Sequence, residues 1–280
     1  NEINEFFDDV LNGMQTKIAE QSEYRIQLLV KQVNLEDTAG FLAALDEMLA
    51  NKVDGFVVTA IQRPEIREKI DAITGLGFPV FTCNVDMPDS KRIAFAGCNL
   101  YKSGYIAGGL ISIITGGCAD VGIVSSGNLV DRVRGFSDAI KRNHPNIRIV
   151  ATVETDEDII KIYNETKAMM EQHQGIGAIF AETVAVYGVC RALMDLGLDK
   201  KVKVICFDDM PLIRILMIEG HVCAIVFQNP FWQGYRAFEM LWNYLLHRRM
   251  PEQTINYSVS EIRIRETITE TTINAVPVTA

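Results

Sequence analysis

The feature that most constrains this chain is a repeating alternation of short, nearly continuous apolar segments with helix-length stretches that carry one apolar face. From Asn4 to Glu20 the apolar residues Phe6, Phe7, Val10, Leu11, Met14 and Ile18 recur at helical spacing. Arg25–Val30 then reads as a strand, Leu35–Leu49 as a helix and Val53–Ala60 as a strand. Pro64–Leu76 reads as a helix with proline in its first turn, closed by Gly75 and Gly77. Strands follow at Pro79–Cys83, Val121–Ser125, Ile147–Val153, Ile176–Ala181, Val202–Phe207 and Val222–Phe227, and a last alternating one at Tyr257–Ile264. The helices between them are Tyr101–Thr115, Val130–Arg142, Asp156–Gln172, Val184–Leu196, Pro211–Ile218 and Phe231–Leu246. Such alternation builds βαβ units and parallel sheets, and unbroken apolar strands suit sheets covered on both faces. The predicted fold is α/β, with two doubly wound parallel-sheet domains. A ligand of such domains is expected beyond the carboxyl ends of the strands, in the cleft between them.

Composition narrows the function. The chain has 280 residues, 48% of them hydrophobic and 22% charged, which is ordinary globular usage rather than that of a disordered chain. Its longest apolar runs, such as Ile111–Ile114, fall far short of the ~20 residues of a membrane helix, so no membrane association is expected. The formal net charge of -9 disfavours direct phosphate-backbone contacts. Cys83, Cys98, Cys118, Cys190, Cys206 and Cys223 are widely spaced, with no CxxC pair, and fit a reducing compartment better than an oxidising one.

Catalytic and cofactor signatures are missing. No GxGxxG follows the first strand, and there is no GxxxxGK[ST] loop and no GxSxG elbow; Ser125-Ser126-Gly127 reads as a strand-end turn. His144, His173, His221 and His247 lack partners at metal-ligand spacing. Asp208 and Asp209 are adjacent and point different ways at a strand end, so only one can face a shared site. No enzyme, cofactor or metal is expected. What remains is a set of polar residues at strand ends: Asn84 and Asp86 after Pro79–Cys83, Arg132 at a helix start, Glu182, Asp208 and Gln228. Each alone is an ordinary cap or turn residue. Together they supply the amides, carboxylates and guanidinium fork that a hydroxyl-rich ligand needs, since each hydroxyl both donates and accepts. Phe6 and Phe7 offer aromatic faces for a sugar ring or for core packing.

At these residues the chain resembles the type I periplasmic sugar-binding proteins, whose fold also forms the effector-binding core of LacI-type transcription regulators. The resemblance rests on Asn4-Glu-Phe-Phe7, on the stretch from Pro79 to Gly97, and on Arg132 three residues before Gly135-Phe136. Phe207-Asp208 and Gln228-Asn-Pro-Phe-Trp-Gln-Gly-Tyr235 complete it. It implies a multi-crossover hinge between one subdomain at 1–99 plus 229–257 and another at 100–228 plus 258–268, with 269–280 as a tail. It also implies ligand contacts from Asn4, Phe6, Phe7, Asn84 and Asp86 on one side, from Arg132, Glu182 and Asp208 on the other, and from Gln228 at the hinge. Asn84 stands where an aspartate is usual, Val85 where some sugar binders place an arginine, Glu182-Thr183 where Asn-Asp is usual and Asn99-Leu100 where Asp-Asn is usual. A carboxylate at position 182 favours a ligand with an extra donor, such as a cation or amino-sugar. The family begins with a strand just before the position of Asn4. Its place here is expected either to be lost by truncation or to be taken by the Thr- and Val-rich tail at Thr271–Thr279.

The resemblance implies an effector core that closes about its hinge on a sugar, polyol or amino-sugar. It would act as a cytoplasmic homodimer that reaches operator DNA only through a domain outside this chain. The alternatives are an extracellular or periplasmic solute-binding protein of a sugar ABC transporter, and the sensor ectodomain of a membrane kinase.

Overall fold

The computed structural model describes residues 2–268 apart from 35–36, 128–129, 156–157 and 183–185, with backbone alone for 2–4. The chain opens with helix α1 (Glu2–Ala19) and continues through α2 (Thr38–Ala50), β1 (Phe56–Val58), α3 (Pro64–Gly75), β2 (Val80–Asn84) and β3 (Ala94–Gly97). Then come α4 (Leu100–Ile114), β4 (Ala119–Ser125), α5 (Val130–Asn143), β5 (Ile147–Glu154), α6 (Ile159–Gln172) and β6 (Ile176–Ala181). These are followed by α7 (Val186–Asp195), β7 (Lys203–Phe207), α8 (Pro211–Ile218) and β8 (Ala224–Phe227). The last elements are α9 (Pro230–His247), β9 (Ile255–Tyr257), β10 (Glu261–Arg263) and a 3-10 turn at Arg265–Thr267.

The elements fall into two compact units. The N-unit comprises Asn4–Cys98 with Asn229–Val259; the C-unit comprises Asn99–Gln228 with Glu2–Ile3 and the described residues from Ser260 onward. The chain therefore passes between units at Cys98/Asn99, Gln228/Asn229 and Val259/Ser260.

The N-unit holds a parallel sheet in the order β1-β2-β3-β9. Its core gathers Phe41 and Leu45 of α2, Ile66, Ile70 and Ile73 of α3, and Phe56, Val58 and Val80 of the sheet. The C-unit holds a sheet in the order β10-β8-β7-β6-β4-β5, parallel except for β10, which runs antiparallel to β8. Phe136, Phe180 and Phe207 lie at the heart of its core, the first two stacked with centroids 4.2 Å apart. The doubly wound, mainly parallel architecture expected from the alternation is present in both units.

Three details depart from the sequence reading. Arg25–Val30 forms no strand. Its residues have the apolar, β-branched character of one, but no ladder partner exists among the described residues. β1 pairs with β2 alone, and Leu29 and Val30 remain exposed. Strand character without a neighbour does not make a strand, because extended backbone must place its hydrogen bonds elsewhere. Conversely β3, the weak strand former Ala-Phe-Ala-Gly, was missed and forms because β2 and β9 hold it on both sides. The single expected strand at Tyr257–Ile264 divides, β9 ending at Tyr257 in one sheet and β10 starting at Glu261 in the other. The tail expected to fill a strand position lies outside the described residues.

Close helix crossings without side chains mark both units. A Cβ on Gly104 of α4 would collide with the Arg132 carbonyl, and one on Gly135 of α5 with the Tyr101 carbonyl. In the N-unit, Gly13 of α1 and Gly234 of α9 stand in the same relation to the Phe231 and Val10 carbonyls. The α4/α5 crossing fixes the start of α5, where Arg132 sits.

Candidate binding site

The parallel topology of the C-unit turns residues far apart in sequence into neighbours. Strands β8, β7, β6 and β4 are adjacent and parallel. Their carboxyl ends therefore carry Gln228, Asp208, Glu182 and Ser125 in a row, with Arg132 reached from the first turn of α5. All five are buried, Arg132 and Glu182 with only 2% of their surface exposed and Asp208 with 3%. Charged groups at such depth persist only when paired and hydrogen-bonded.

Glu182 is tightly held. Its Oε2 accepts from Ser125 Oγ at 2.9 Å, from the Ser126 amide at 3.2 Å and from Ser126 Oγ at 3.3 Å. Its backbone amide donates to the Val124 carbonyl at 2.7 Å. Its Oε1 stands 3.5 Å from Arg132 Nη1. The guanidinium of Arg132 in turn lies over the Phe207 ring, its Cζ 3.8 Å from the centroid, a cation–π contact that fixes the guanidinium over the ring face. Arg132 Nε and Nη2 are shielded from solvent and have no hydrogen-bond partner among the described residues.

Asp208 stands at the end of β7 with φ +65°, a left-handed backbone that Asp and Asn tolerate better than larger side chains. Both its carboxylate oxygens accept from Gln228 Nε2, at 2.9 and 3.1 Å. Burial pushes its carboxyl above the usual aspartate range. Arg132 and Gln228 pull it back down and Asp209 adds to the rise. The adjacent Asp209 turns away to Arg214 and Arg263, so the two aspartates do separate work.

The N-unit residues are arranged differently. Asn84 ends β2 with φ +65°, and its amide donates to Gln233 Oε1 at 3.3 Å. Asp86 is closed upon itself: it accepts from Thr82 Oγ1 and the Met87 amide, and both of its oxygens are gripped by the Nε and Nη2 of Arg92. Its carboxylate anchors a loop, because every strong donor near it is already inside the chain. Phe6 is buried in edge-to-face contact with the half-buried Phe7. The side chain of Asn4 lies outside the described residues. Sequence reasoning missed Ser126, Phe207, Gln233 and Arg92. Of these only the Ser125-Ser126 doublet carried a usable signal, two hydroxyls ending an apolar strand.

Among the described residues no group of three or more His, Cys, Asp or Glu is placed to hold a metal, and no helix is long and apolar enough to cross a membrane. Cys83, Cys118, Cys190 and Cys223 form no disulfide among the described residues. Burial pushes the thiols of Cys83 and Cys190 up to about 12. Both are buried, where a thiol packs as a small hydrophobe.

A row of buried polar groups at the carboxyl ends of parallel strands, in a chain of two such units, defines a class of small-molecule binding proteins. The periplasmic binding protein domain family matches residues 1–249, and the chain belongs to it. It is 31% identical over 137 residues to the D-allose-binding periplasmic protein of Escherichia coli; the match spans 48% of this chain and 41% of that protein. GanP, a glucose-galactose binding protein of Geobacillus stearothermophilus, has 24% identity, a TM-score of 0.83 and 94% coverage of each chain. A Bacteroides fragilis structure assigned to the LacI transcriptional regulators has 20% identity and a TM-score of 0.81, covering 93% of this chain and 92% of its own. The two structural likenesses establish the fold.

Proposed function

We propose that the protein captures a neutral sugar or polyol at the carboxyl edge of the C-unit sheet and serves as an extracytoplasmic solute-binding protein. One observation carries the reading: the buried Arg132 presents Nε and Nη2 without a hydrogen-bond partner among the described residues, on the same sheet edge as the carboxylate of Asp208 and the amide of Gln228. That set offers a bidentate donor edge, an acceptor and a group that does both, which is what adjacent hydroxyls require. The named sugar-binding relatives support the solute-binding role over the regulator role that the sequence first suggested. A LacI-type regulator, dimeric and bound to operator DNA through another domain, is the second reading, and the Bacteroides fragilis likeness is what keeps it in view.

The test is a thermal-shift panel with D-allose, D-glucose, D-galactose, D-arabinose, ribitol and D-glucosamine. A ligand at a hundred times its Kd adds about 2.7 kcal/mol, roughly 5–10 °C for domains of this size. A shift with one of the neutral members supports the reading, and no shift with any sugar or polyol overturns it. Sizing of the liganded protein separates the roles: a monomer fits solute delivery and a stable dimer fits the regulator.

A further inference from the structure

We propose that Glu182 is a positioning residue: it holds the Arg132 guanidinium with its Nε/Nη2 edge turned to the ligand and does not itself contact the ligand. The proposal rests on the binding role assigned above, and it replaces the expectation that a carboxylate at 182 selects a cationic or amino-substituted ligand.

The geometry around Glu182 commits it to its own chain. One carboxylate oxygen accepts from two serine hydroxyls and a backbone amide, and its backbone is tied to β4 through Val124. The other oxygen stands against Arg132 Nη1. The guanidinium is thereby fixed on two sides, by Phe207 beneath its face and by Glu182 at Nη1. Only the Nε/Nη2 edge is left over. The chain shows twice what that edge does when a pair of oxygens reaches it: in Arg92 it clasps both oxygens of Asp86, and in Arg148 both oxygens of Asp120. In Arg132 neither nitrogen has such a partner among the described residues. A buried guanidinium edge left unmade carries a desolvation penalty, and two ligand oxygens placed there relieve it. The charge count agrees. Glu182 balances Arg132, so the acceptor that faces the ligand is Asp208, whose partner is an amide rather than a cation. Ser125 and Ser126 act one step further back, as the lock that keeps Glu182 in place.

The experiment compares wild type, Glu182→Gln, Arg132→Lys and the double variant. Titrations use D-allose and D-glucose as neutral probes and D-glucosamine as the amino-substituted one. The expected result is that Glu182→Gln weakens every sugar that binds wild type by a similar factor, about tenfold from one impaired charge-assisted interaction. The ratio between neutral and amino sugar then stays unchanged. In the Arg132→Lys background, which has no planar edge to orient, the same substitution changes affinity less than about twofold, since its effect runs through the arginine. A selective loss of D-glucosamine binding, or a full tenfold loss in the lysine background, shows direct ligand contact and overturns the proposal. A ligand-free readout separates its failure from that of the binding role. The Arg132 Nε–H resonance in 15N spectra is expected to be sharp and slowly exchanging in wild type and broadened in Glu182→Gln. If no sugar binds wild type, the binding role fails while this resonance still decides the positioning role. An Nε–H signal unaffected by Glu182→Gln overturns it.

Discussion

Two strand ends, one in each unit, show what separates an anchoring carboxylate from a recognising one. Asp86 and Asp208 both follow buried parallel strands and both are candidates from sequence. Asp86 is met by its own arginine, Arg92, through both oxygens, and by Thr82 and the Met87 amide besides. Asp208 is met by an amide, while Arg132 is held by Glu182 and Phe207, and its Nε/Nη2 edge has no hydrogen-bond partner among the described residues. The same residue types thus serve the chain itself in one unit and, under the proposed binding role, a ligand in the other. Residue type did not decide the outcome; the orientation of the arginine edge did.

The comparison can be broken in four places. The largest effect is expected from Arg132→Ala. Loss of a buried charged donor pair costs about 3 kcal/mol or more, so calorimetry should find sugar affinity at least ~100-fold weaker, with the far-UV CD spectrum unchanged. Asp86→Ala should do the reverse, lowering stability by about 2 kcal/mol as the half-buried Arg92 loses its partner. That is roughly 4–8 °C in Tm, with Kd changed little. Equal losses of affinity in both variants would erase the distinction drawn here.

Asp208→Asn is expected to act in opposite directions on affinity and stability. Because burial raises the Asp208 carboxyl, the folded state retains its proton longer than the unfolded chain does. Stability is therefore lost as pH rises from the ordinary aspartate value of 3.8 through the folded-state value. The asparagine variant, with no proton to lose, should melt a few degrees above wild type at pH 7 and match it below about pH 3.8. Its sugar affinity should fall by less than that of Arg132→Ala. The smallest effect sharpens the contrast between covered and open positions. In the native protein the exposed Cys118 should label with maleimide first. Cys83 and Cys190, buried and pushed up to about 12, should label only on unfolding.

Much of this was legible in the sequence. Apolar runs and helical spacing located nearly every element, because both units bury their sheets on two faces and so write them as unbroken hydrophobic segments. Arg132, Glu182, Asp208 and Gln228 could be marked as strand-end residues, and the parallel topology then supplied the adjacency that sequence order conceals. What could not be read was pairing. Nothing local announces that Arg25–Val30 lacks a ladder partner among the described residues, that Ala94–Gly97 acquires two, or that Asp86 and Arg92 find each other across a turn. Those outcomes depend on which neighbours arrive in space, and so did the engagement of Glu182 by the Ser125-Ser126 doublet.

The left-handed backbone at Asn84 and Asp208 limits the alphabet available there. At φ +65° the natural occupants are asparagine, aspartate and glycine. Asparagine and aspartate have nearly the same shape and differ by a full charge. A single nucleotide change can exchange them, so the charge at such a strand end can be toggled while the left-handed backbone is kept, with the hydrogen bonds to Gln233 or Gln228 adjusting to the new group. Relatives that share these two backbone angles are then free to diverge in what they bind through one-atom exchanges, long before their sheets or crossings need to change.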